Sequence, residues 1–444
     1  MRKPRDGDEG RRMIAHVSSA GWATYIISRP RPSISLSNYL SSLTSFGHAR
    51  FIHLTDLAWS FRDSIARPLS LNLYTVRDAI PQLVVTPNVL VIAVANALHV
   101  YDLVRGGLEV HWRGEVQLHR GSAHDDITGL GALPQPGGKE ALFVSCANGK
   151  MLRVQLSQPG EPLRATVTAH YTHPPRHITS LSTSRWESKA ALALTTAQGG
   201  LVSLHNTRSP WIEPTHVSPP TAAYLPAVKQ PRTWCSFIAR SDSLAVTGST
   251  HLSLHPILPS GLQQSSKPHI IPGPLKQSAC YALSHPPNHH PDILLSGWHD
   301  GVVRMHDLRT EAIEMTLRDP WSDSGVYCVG AGGGSATQVI AGYSKHGMLA
   351  IFDIRSPSTA YTTYAPSPSL GPPRPHNGFT QVSALHVEAS RIFGTTPHRP
   401  FVLDFGPDIT ESSYPFVKER PRRMTANGLG FSTQSYDHLL GLPR

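Results

Sequence analysis

Short runs in which apolar and polar residues alternate, separated by turn residues, occur along most of the chain. Residues 293–309 give the clearest case, because an apolar run is followed by a turn at Asp300-Gly301 and by a second alternating run. Alternation with a period of two is typical of a half-buried strand. An Asp-Gly turn favours a tight hairpin, since its backbone needs a positive φ angle. The stretch therefore predicts a β-hairpin.

The same hairpin recurs along the chain. Residues 339–355 repeat it, and Asp353 follows Asp307 by 46 positions, within the range of about 40–50 residues that is typical of propeller blades. Endings of this form, a bulky residue followed by Asp or Asn, contain Asp102, Asn206, Asp307 with Arg309, Asp353 with Arg355 and, in a weaker version, Asp404. We interpret them as structural, because Asp side chains commonly bind nearby backbone N–H groups. The hairpin and its ending resemble WD repeats.

A second repeated pattern lies upstream of the hairpins. It is a four-residue signature in which the third residue is small, and the six copies lie 46 to 56 positions apart. The third residues are Gly129, Ser180, Ser236, Ala282, Cys328 and Ala384. Small residues are needed where the innermost strands of neighbouring blades converge and large side chains would collide. A period of two nested in this longer repeat predicts a propeller.

Together the patterns predict an all-β fold, a seven-bladed WD-repeat-like β-propeller with a short N-terminal helical segment. The last blade has three strands in the sequence, and we expect residues 71–76 to supply the fourth and close the ring. Apolar residues spaced three and four apart, ending before Pro68, predict helices upstream. The predicted segments are a disordered basic N-terminus (1–12), the helical segment (13–69), the propeller (70–410) and a peripheral or flexible tail (411–444).

Composition adds the expected location of the protein. Only 16% of residues are charged, and 39 prolines and 35 glycines suit many turns between short strands. No apolar run reaches 18 residues, so we expect no transmembrane helix, and the N-terminus lacks the apolar core of a secretion signal. The four cysteines fall on predicted strands, which favours buried thiols over disulfides. We expect an intracellular protein of the cytoplasm or nucleus.

The net charge of +10 has its excess partly at the two ends of the chain. Basic ends are compatible with nucleic acid, an acidic partner or nuclear import, but also with solvated disordered segments. The terminal clusters lack the interleaved aromatic residues of a single-strand stacking platform. We therefore do not expect nucleic acid as a partner.

A narrower resemblance rests on Trp22-Ala-Thr-Tyr25, residues 29–32, 57–59 and 66–69, and the Asp-Pro-Trp-Ser-Asp-Ser motif at 319–324. These are similar to fungal F-box/WD-repeat proteins, in particular the group close to F-box/WD-repeat protein 4. The resemblance implies a substrate receptor or adaptor of Skp-cullin-F-box (SCF) ubiquitin ligases. The Leu-Pro-x-Glu opening of an F-box is not visible, so either the F-box was lost or it lies upstream of this sequence. Skp and cullin partners are expected only if an F-box is present upstream.

No catalytic, cofactor or metal site is predicted. The histidines at 285, 289 and 290 lack metal-site spacing and a supporting cysteine. The glycine-rich stretch 330–334 neither opens a helix nor precedes a Lys-Ser/Thr pair, as a phosphate-binding loop would. The motifs Gly-x-Ser-x-Gly and His-Glu-x-x-His are also missing from the sequence.

Function is therefore expected at a surface. The loops before the innermost strands and the central hairpin turns should emerge on one face and bind protein partners of a monomeric propeller. The candidate contact residues are His124, Asp125, Asn148, Gln198, Trp298, His299, Lys345 and His346. Trp298 leads because Trp is enriched at binding hot spots, although it could equally pack against the adjacent blade. The alternatives are a chromatin or RNA-processing scaffold and a hydrolase with acids or a nucleophile at the central channel.

Overall fold

The computed structural model describes residues 65–69, 80–118, 126–134, 140–172, 177–184, 192–197, 200–206, 216–218, 233–263, 269–274, 278–320, 322–333, 336–365, 380–388, 390–397, 399–406, 413–415, 436–437 and 442–443. The described residues form strands joined by turns, with one short 3₁₀ helix at Arg105–Gly107. Seven sheets of at least four antiparallel strands account for almost all of them. The predicted seven-bladed propeller is confirmed.

Each of the first three blades is a meander in which consecutive strands pair. Blade one contains β2 (Gln82–Val85), β3 (Val89–Val94), β4 (Ala97–Val104) and β5 (Glu109–Gln117). Blade two contains β6 (Ile127–Pro134), β7 (Glu140–Cys146), β8 (Lys150–Leu156) and β9 (Ala165–Thr172). Blade three contains β10 (Ile178–Thr183), β11 (Leu192–Ala197), β12 (Leu201–Asn206) and β13 (His216–Ser218).

The next three blades repeat the meander. Blade four contains β14 (Cys235–Ala239), β15 (Leu244–Gly248), β16 (Leu252–Leu258), β17 (Gly261–Leu262) and β18 (His269–Ile271), the last two both pairing with β16. Blade five contains β19 (Cys280–Ser284), β20 (Ile293–Trp298), β21 (Val302–Asp307) and β22 (Ala312–Arg318). Blade six contains β23 (Val326–Gly332), β24 (Gln338–Tyr343), β25 (Met348–Asp353) and β26 (Ser356–Tyr364). A separate pair joins β30 (Tyr436–Asp437) and β31 (Leu442–Pro443).

Blade seven is built from both ends of the described chain. It contains β27 (Ala384–Val387), β28 (Arg391–Thr395) and β29 (Pro400–Asp404), and its outermost strand is β1 (Ile65–Pro68). The predicted closure by an N-terminal strand is confirmed, but the strand is 65–68, and residues 71–76 lie outside the described residues. The helical prediction also does not hold for 65–68, because pairing along the free edge of β29 outweighs a local apolar spacing. The rest of the predicted helical segment lies outside the described residues.

The seven innermost strands contact one another in a closed ring, β2 to β6, β10, β14, β19, β23, β27 and back to β2. All six small residues of the repeated signature lie on these strands. At Gly129, a Cβ atom would stand 2.5 Å from the Leu181 Cβ of the next blade and 2.6 Å from the Ser145 hydroxyl. The small residue is thus needed by the contact between blades.

The apolar core lies between the blades. Seven clusters of buried apolar residues occur, and each joins the strands of two neighbouring sheets. Leu294, for example, is fully buried together with Cys235 and Leu252 of the preceding blade. Tyr414, in the predicted peripheral tail, is also buried, in the cluster between blades seven and one. Because burial of one Leu side chain stabilises by about 1.5–3 kcal/mol, the seams between blades hold the ring together.

All four cysteines are free and buried, as their positions on predicted strands indicated. The Asp-Gly hairpin of blade five also forms as predicted. Gly301 adopts a φ angle of 79° and donates its N–H to the carbonyl of Trp298 at 3.1 Å. A side chain at this position would also meet the carbonyl of Ser324 at 2.8 Å. Among the described residues, no helix is both apolar enough and long enough to cross a lipid bilayer.

Candidate functional site

One face of the ring gathers the turns between second and third strands together with the starts of the innermost strands. Backbone hydrogen bonds tie the starts in blades two, five and seven to the blade before them. Ile127 N–H donates to Ala95 O at 2.7 Å, and Cys280 N–H donates to Ser249 O at 2.7 Å. We call this side the turn face. These bonds hold the strand starts against the neighbouring blade, as a preformed binding surface requires.

The predicted contact residues fall on this face only in part. His124, Asp125 and Gln198 lie outside the described residues. Asn148 occupies the β7–β8 turn, and its side-chain carbonyl accepts the N–H of Lys150 at 3.0 Å. Asn148 therefore stabilises the turn that carries it.

His299, Lys345 and His346 occupy the corresponding turns of blades five and six. His299 and His346 are exposed, and the Lys345 ammonium lies 3.7 Å from the carboxylate of Asp323, whose side chain is 92% exposed. Partial burial, with help from the Lys345 charge, lowers the pKa of His346. A polar, solvated border therefore surrounds this part of the turn face.

Trp298 does not offer surface to a partner, because its side chain is 0% exposed. Its indole N–H donates to the Ser296 hydroxyl at 2.7 Å, and the Arg304 guanidinium lies 5.5 Å from the ring centroid. Asp300 holds Arg304 through two hydrogen bonds of 3.0 and 2.6 Å. Of the two interpretations of Trp298, the structure supports packing in the core and not exposure to a partner. The spacing of the hairpin shows where the residue lies but not which way a ring at its edge turns.

Buried histidines occupy one repeated position on the third strands of blades three, four and five. They are His205, His255 and His306, each preceding the last paired residue of the strand. His306 Nε2 lies 2.7 Å from the Ser296 hydroxyl. Burial lowers the pKa of His255 and of His306 to about 4, with a contribution from Arg304 at His306. Both imidazoles are therefore neutral near pH 7.

The repeated aspartates act within the turns that follow the third strands. The Asp307 carboxylate accepts hydrogen bonds from the backbone N–H of Arg309 at 2.8 Å and from its guanidinium at 2.6 Å, which holds the pKa of Asp307 far below its usual value. Partial burial acts to raise the pKa of Asp353, but hydrogen bonds from Arg355 outweigh it and the pKa is lowered. The carboxylates of Asp307 and Asp353 are therefore engaged in hydrogen bonds within their own turns.

The other residues of the repeated endings, Asp102, Asp404 and Asn206, make different contacts. Asp102 lies 3.3 Å from Arg113 of the outermost strand of its own blade. Asp404 accepts the N–H of Gly406 at 2.9 Å and the hydroxyl of Tyr414. Asn206 ends β12 and is exposed.

The innermost strands carry β-bulges near the turn face. The pairing register shifts around Thr128, Thr179, Tyr281 and Tyr327, in blades two, three, five and six. Bulges re-aim a side chain and are frequent near functional sites. All four residues hold the second position of the repeated signature. The same bulge therefore recurs at this position in four blades.

In blades five and six this second position is a tyrosine, and in blade four Trp234, at the first position, lies beside it. The rings of Trp234 and Tyr281 have centroids 5.1 Å apart, those of Tyr281 and Tyr327 are 4.9 Å apart, and His299 lies 5.9 Å from Tyr281. All are edge-to-face contacts, a favourable geometry. We call these four residues the aromatic shelf. Trp234, Tyr281 and Tyr327 are half-buried. Sequence reasoning missed them, although a Tyr at the same repeat position in two successive blades was a usable signal.

In blades two to four the same level is lined by hydroxyls. Thr179 lies 3.0 Å from the Thr196 hydroxyl, Ser180 lies 2.6 Å from Thr196, and Ser180 also reaches Ser236 of the next blade at 2.9 Å. Thr128 contacts Ser145 in the same way at 3.3 Å. We call this group the hydroxyl network. The hydrogen bonds of the hydroxyl network join residues of the propeller to one another.

The described residues contain no group of three or more His, Cys, Asp or Glu side chains placed to hold a metal ion. Neither the protein-family models nor the curated proteins with which the chain was compared gave a match. What its geometry establishes is the architecture: the chain folds as a seven-bladed β-propeller, consistent with the WD-repeat type.

Proposed function

We propose that the protein is a non-catalytic interaction scaffold and that a protein partner docks on the aromatic shelf at the turn face. The observation that carries the proposal is the contiguous, half-buried set of Trp and Tyr rings across blades four to six. Trp and Tyr are enriched at the energetic centres of protein interfaces. They give a large contact area while losing few rotatable bonds.

The surroundings of the shelf suit an interface. Lys345 and Asp323 supply opposite charges on the solvated border, and Asp300 with Arg304 supplies a second, more buried pair. An aromatic centre bordered by polar groups is the usual arrangement of a specific protein interface. Because Tyr281 and Tyr327 lie on strands of a closed ring, and Trp234 and His299 lie directly beside strands, little ordering is needed on binding.

The test compares variants of the full chain. Tyr281→Ala and Tyr327→Ala remove shelf rings, and Tyr361→Ala removes a tyrosine that is 43% exposed on the outermost strand of blade six. Partners that co-purify with the tagged wild-type chain are identified by mass spectrometry and then produced pure for Kd measurements. We expect each shelf variant to weaken binding by at least about tenfold, since hot-spot truncations cost about 2 kcal/mol or more. We expect Tyr361→Ala to leave the Kd unchanged.

A partner that binds both shelf variants with the wild-type Kd would overturn the assignment of the surface. Circular dichroism and the unfolding midpoint of each variant show whether the propeller is intact, so that a lost fold is not taken for a lost contact. A partner lost equally with Tyr361→Ala would place the interface on the outside of blade six.

A finer form of the proposal is that the scaffold is a substrate receptor or adaptor of SCF ubiquitin ligases. It is supported by the sequence resemblance to F-box/WD-repeat proteins at residues 22–25, 29–32 and 319–324. The test is whether a Skp adaptor and a cullin accompany the protein, extended by any upstream F-box exon, when it is purified from its native cells. Their absence would remove the ligase role and leave the interaction scaffold. Chromatin or RNA-processing factors in their place would support the alternative scaffold.

A further inference from the structure

Two cysteines from neighbouring blades lie side by side beneath the aromatic shelf. Cys235 begins β14 in blade four and Cys280 begins β19 in blade five. Their sulfur atoms are 3.8 Å apart, and the Cys235 thiol also lies 3.5 Å from the backbone carbonyl of Cys280. Both cysteines are free thiols. The seam between blades four and five thus brings together two groups that can be oxidised as a pair.

The local packing provides room for both sulfurs. Gly248 pairs with Cys235 in the sheet, and a Cβ atom on this glycine would lie 2.5 Å from the Cys235 sulfur and 3.0 Å from the Cys280 sulfur. A disulfide bond is about 2.0 Å long, so the sulfurs must approach each other from 3.8 Å. Because a glycine stands at position 248, no Cβ atom hinders the approach of the two sulfurs.

We propose that Cys235 and Cys280 form a reversible disulfide across this seam when the protein meets a hydroperoxide such as hydrogen peroxide. In the first step one thiol sulfur attacks the peroxide, the O–O bond breaks, water leaves and a sulfenic acid forms. In the second step the other sulfur attacks the sulfenic sulfur, the S–S bond forms, the S–O bond breaks and a second water leaves. The two thiols lose two hydrogens and two electrons, and the peroxide is reduced to two waters. A dithiol reductant reverses the reaction.

The two cysteines differ in the step that each performs. Cys235 is 8% exposed and Cys280 is 0% exposed, so the oxidant reaches Cys235 first. Burial, with a further contribution from the hydrogen bond to Cys235, raises the pKa of the Cys280 thiol well above its ordinary value. Cys280 is therefore the resolving thiol, and its raised pKa slows the second step, because the thiolate is the attacking species.

The disulfide would act on the surface directly above it. Trp234 precedes Cys235 and Tyr281 follows Cys280 in the sequence, and these two rings are in edge-to-face contact. Drawing the first residues of β14 and β19 together changes the spacing of the two rings. If the shelf binds a partner as proposed above, oxidation alters that binding, but formation of the disulfide does not depend on the partner.

The test treats the purified full chain with hydrogen peroxide, blocks the remaining thiols under denaturing conditions and maps the peptides by mass spectrometry. We expect the number of free thiols to fall from the four of the sequence to two, with one cross-linked peptide pair that joins Cys235 to Cys280 and disappears on reduction. Cys235→Ala and Cys280→Ala should each abolish the cross-link. Cys328→Ala is the matched control, because Cys328 is also buried on an innermost strand but donates to the Val382 carbonyl at 3.2 Å; it should keep the cross-link.

Three results would overturn the proposal: retention of all four thiols at peroxide levels that oxidise a free cysteine peptide, oxidation of Cys235 to sulfinic acid without any cross-link, or a disulfide that joins other cysteines. The unfolding midpoint of the reduced alanine variants shows that the fold survives each substitution. Repeating the partner binding measurement with Tyr327→Ala separates failure of the shelf from failure of the disulfide, since Tyr327 lies in blade six and contains no thiol.

Discussion

The two halves of the turn face use the same backbone position for different purposes. The bulged residue of the innermost strand is Thr128 or Thr179 in blades two and three, and Tyr281 or Tyr327 in blades five and six. The threonines bind hydroxyls of their own sheets, whereas the tyrosines pack on one another and remain half-buried. A repeated backbone geometry can therefore serve internal hydrogen bonds in some blades and offer surface for a partner in others.

The largest expected effect is a loss of folding stability in acid, caused by buried histidines of blades four and five. At about pH 5 the folded chain still holds His255 and His306 largely neutral, because burial lowers the pKa of each to about 4, while in the unfolded chain both are protonated below about pH 6.5. Stability is therefore independent of these groups above pH 6.5 and is lost as the pH falls toward 4. We expect a loss of up to about 3 kcal/mol for each histidine, measured by urea unfolding at pH 7.5 and 4.5.

Blade six supplies the control for this pH dependence, because Phe352 occupies the position that His306 holds in blade five. His306→Phe should remove about half of the acid-dependent loss that His255 and His306 cause together. An unchanged slope of stability against pH in this variant would show that other groups cause the acid sensitivity.

The cores of the two halves should respond alike. Leu294 in blade five and Leu142 in blade two hold the same place on the second strand, and their side chains are 0% and 1% exposed. We expect Leu294→Ala and Leu142→Ala each to lower the free energy of unfolding by about 2–5 kcal/mol, as measured by chemical denaturation. A near-neutral result at one of the two positions would mean that its half is loosely packed.

At the inner ring, the blades that carry the hydroxyl network should be packed more tightly than those that carry the aromatic shelf. In Gly129→Ala the added methyl group would stand 2.5 Å from the Leu181 Cβ and 2.9 Å from its backbone nitrogen, which costs about 1–3 kcal/mol as overpacking. Ala282 fills the equivalent position in blade five, so Ala282→Gly is the reciprocal change, with an expected loss of about 1 kcal/mol. If Gly129→Ala is as stable as the wild type, the blades are not packed as closely as described.

The smallest expected effect is the coupling between the shelf rings. The edge-to-face contact of Tyr281 with Tyr327, at 4.9 Å between centroids, should give about 0.5–1.5 kcal/mol in a double-mutant cycle of unfolding free energies. Thr179 and Tyr281 lie too far apart in the ring to share a contact, so the same cycle on that pair should give a coupling near zero. Equal coupling in both cycles would contradict a local ring contact.

The sequence predicts the architecture well because propeller geometry is repeated. Six of the seven blades repeat the small residue that neighbouring strands require, as Gly129 and Ala282 do, and blades two, three, five and six repeat the turn glycine of the hairpin, as Gly301 does. What occurs once is harder to predict. The closing strand could not be separated from a helix by local spacing, since four residues at Ile65–Pro68 gain their structure from the edge of β29.

The candidate surface was predicted less well than the fold, for a physical reason. A hairpin pattern gives the position of a residue along the chain but not the direction of its side chain at a strand end. The sequence therefore leaves both orientations of Trp298 open, and the structure shows that its ring packs inward with Ser296. The bulges at Tyr281 and Tyr327 depend on a local mismatch between two strands, which no single strand reveals.

Closure of the last blade by β1 also sets the order in which the fold can be completed. The ribosome makes Ile65–Pro68 first, and its partner Pro400–Asp404 follows more than 300 residues later. At synthesis rates of about 5–20 residues per second, the early strand waits roughly 20–70 s for its site. During that interval residues 65–68 lack their partner strand and are a ready target for chaperones or for misplaced pairing, and the ring can close only after Pro400–Asp404 has been made.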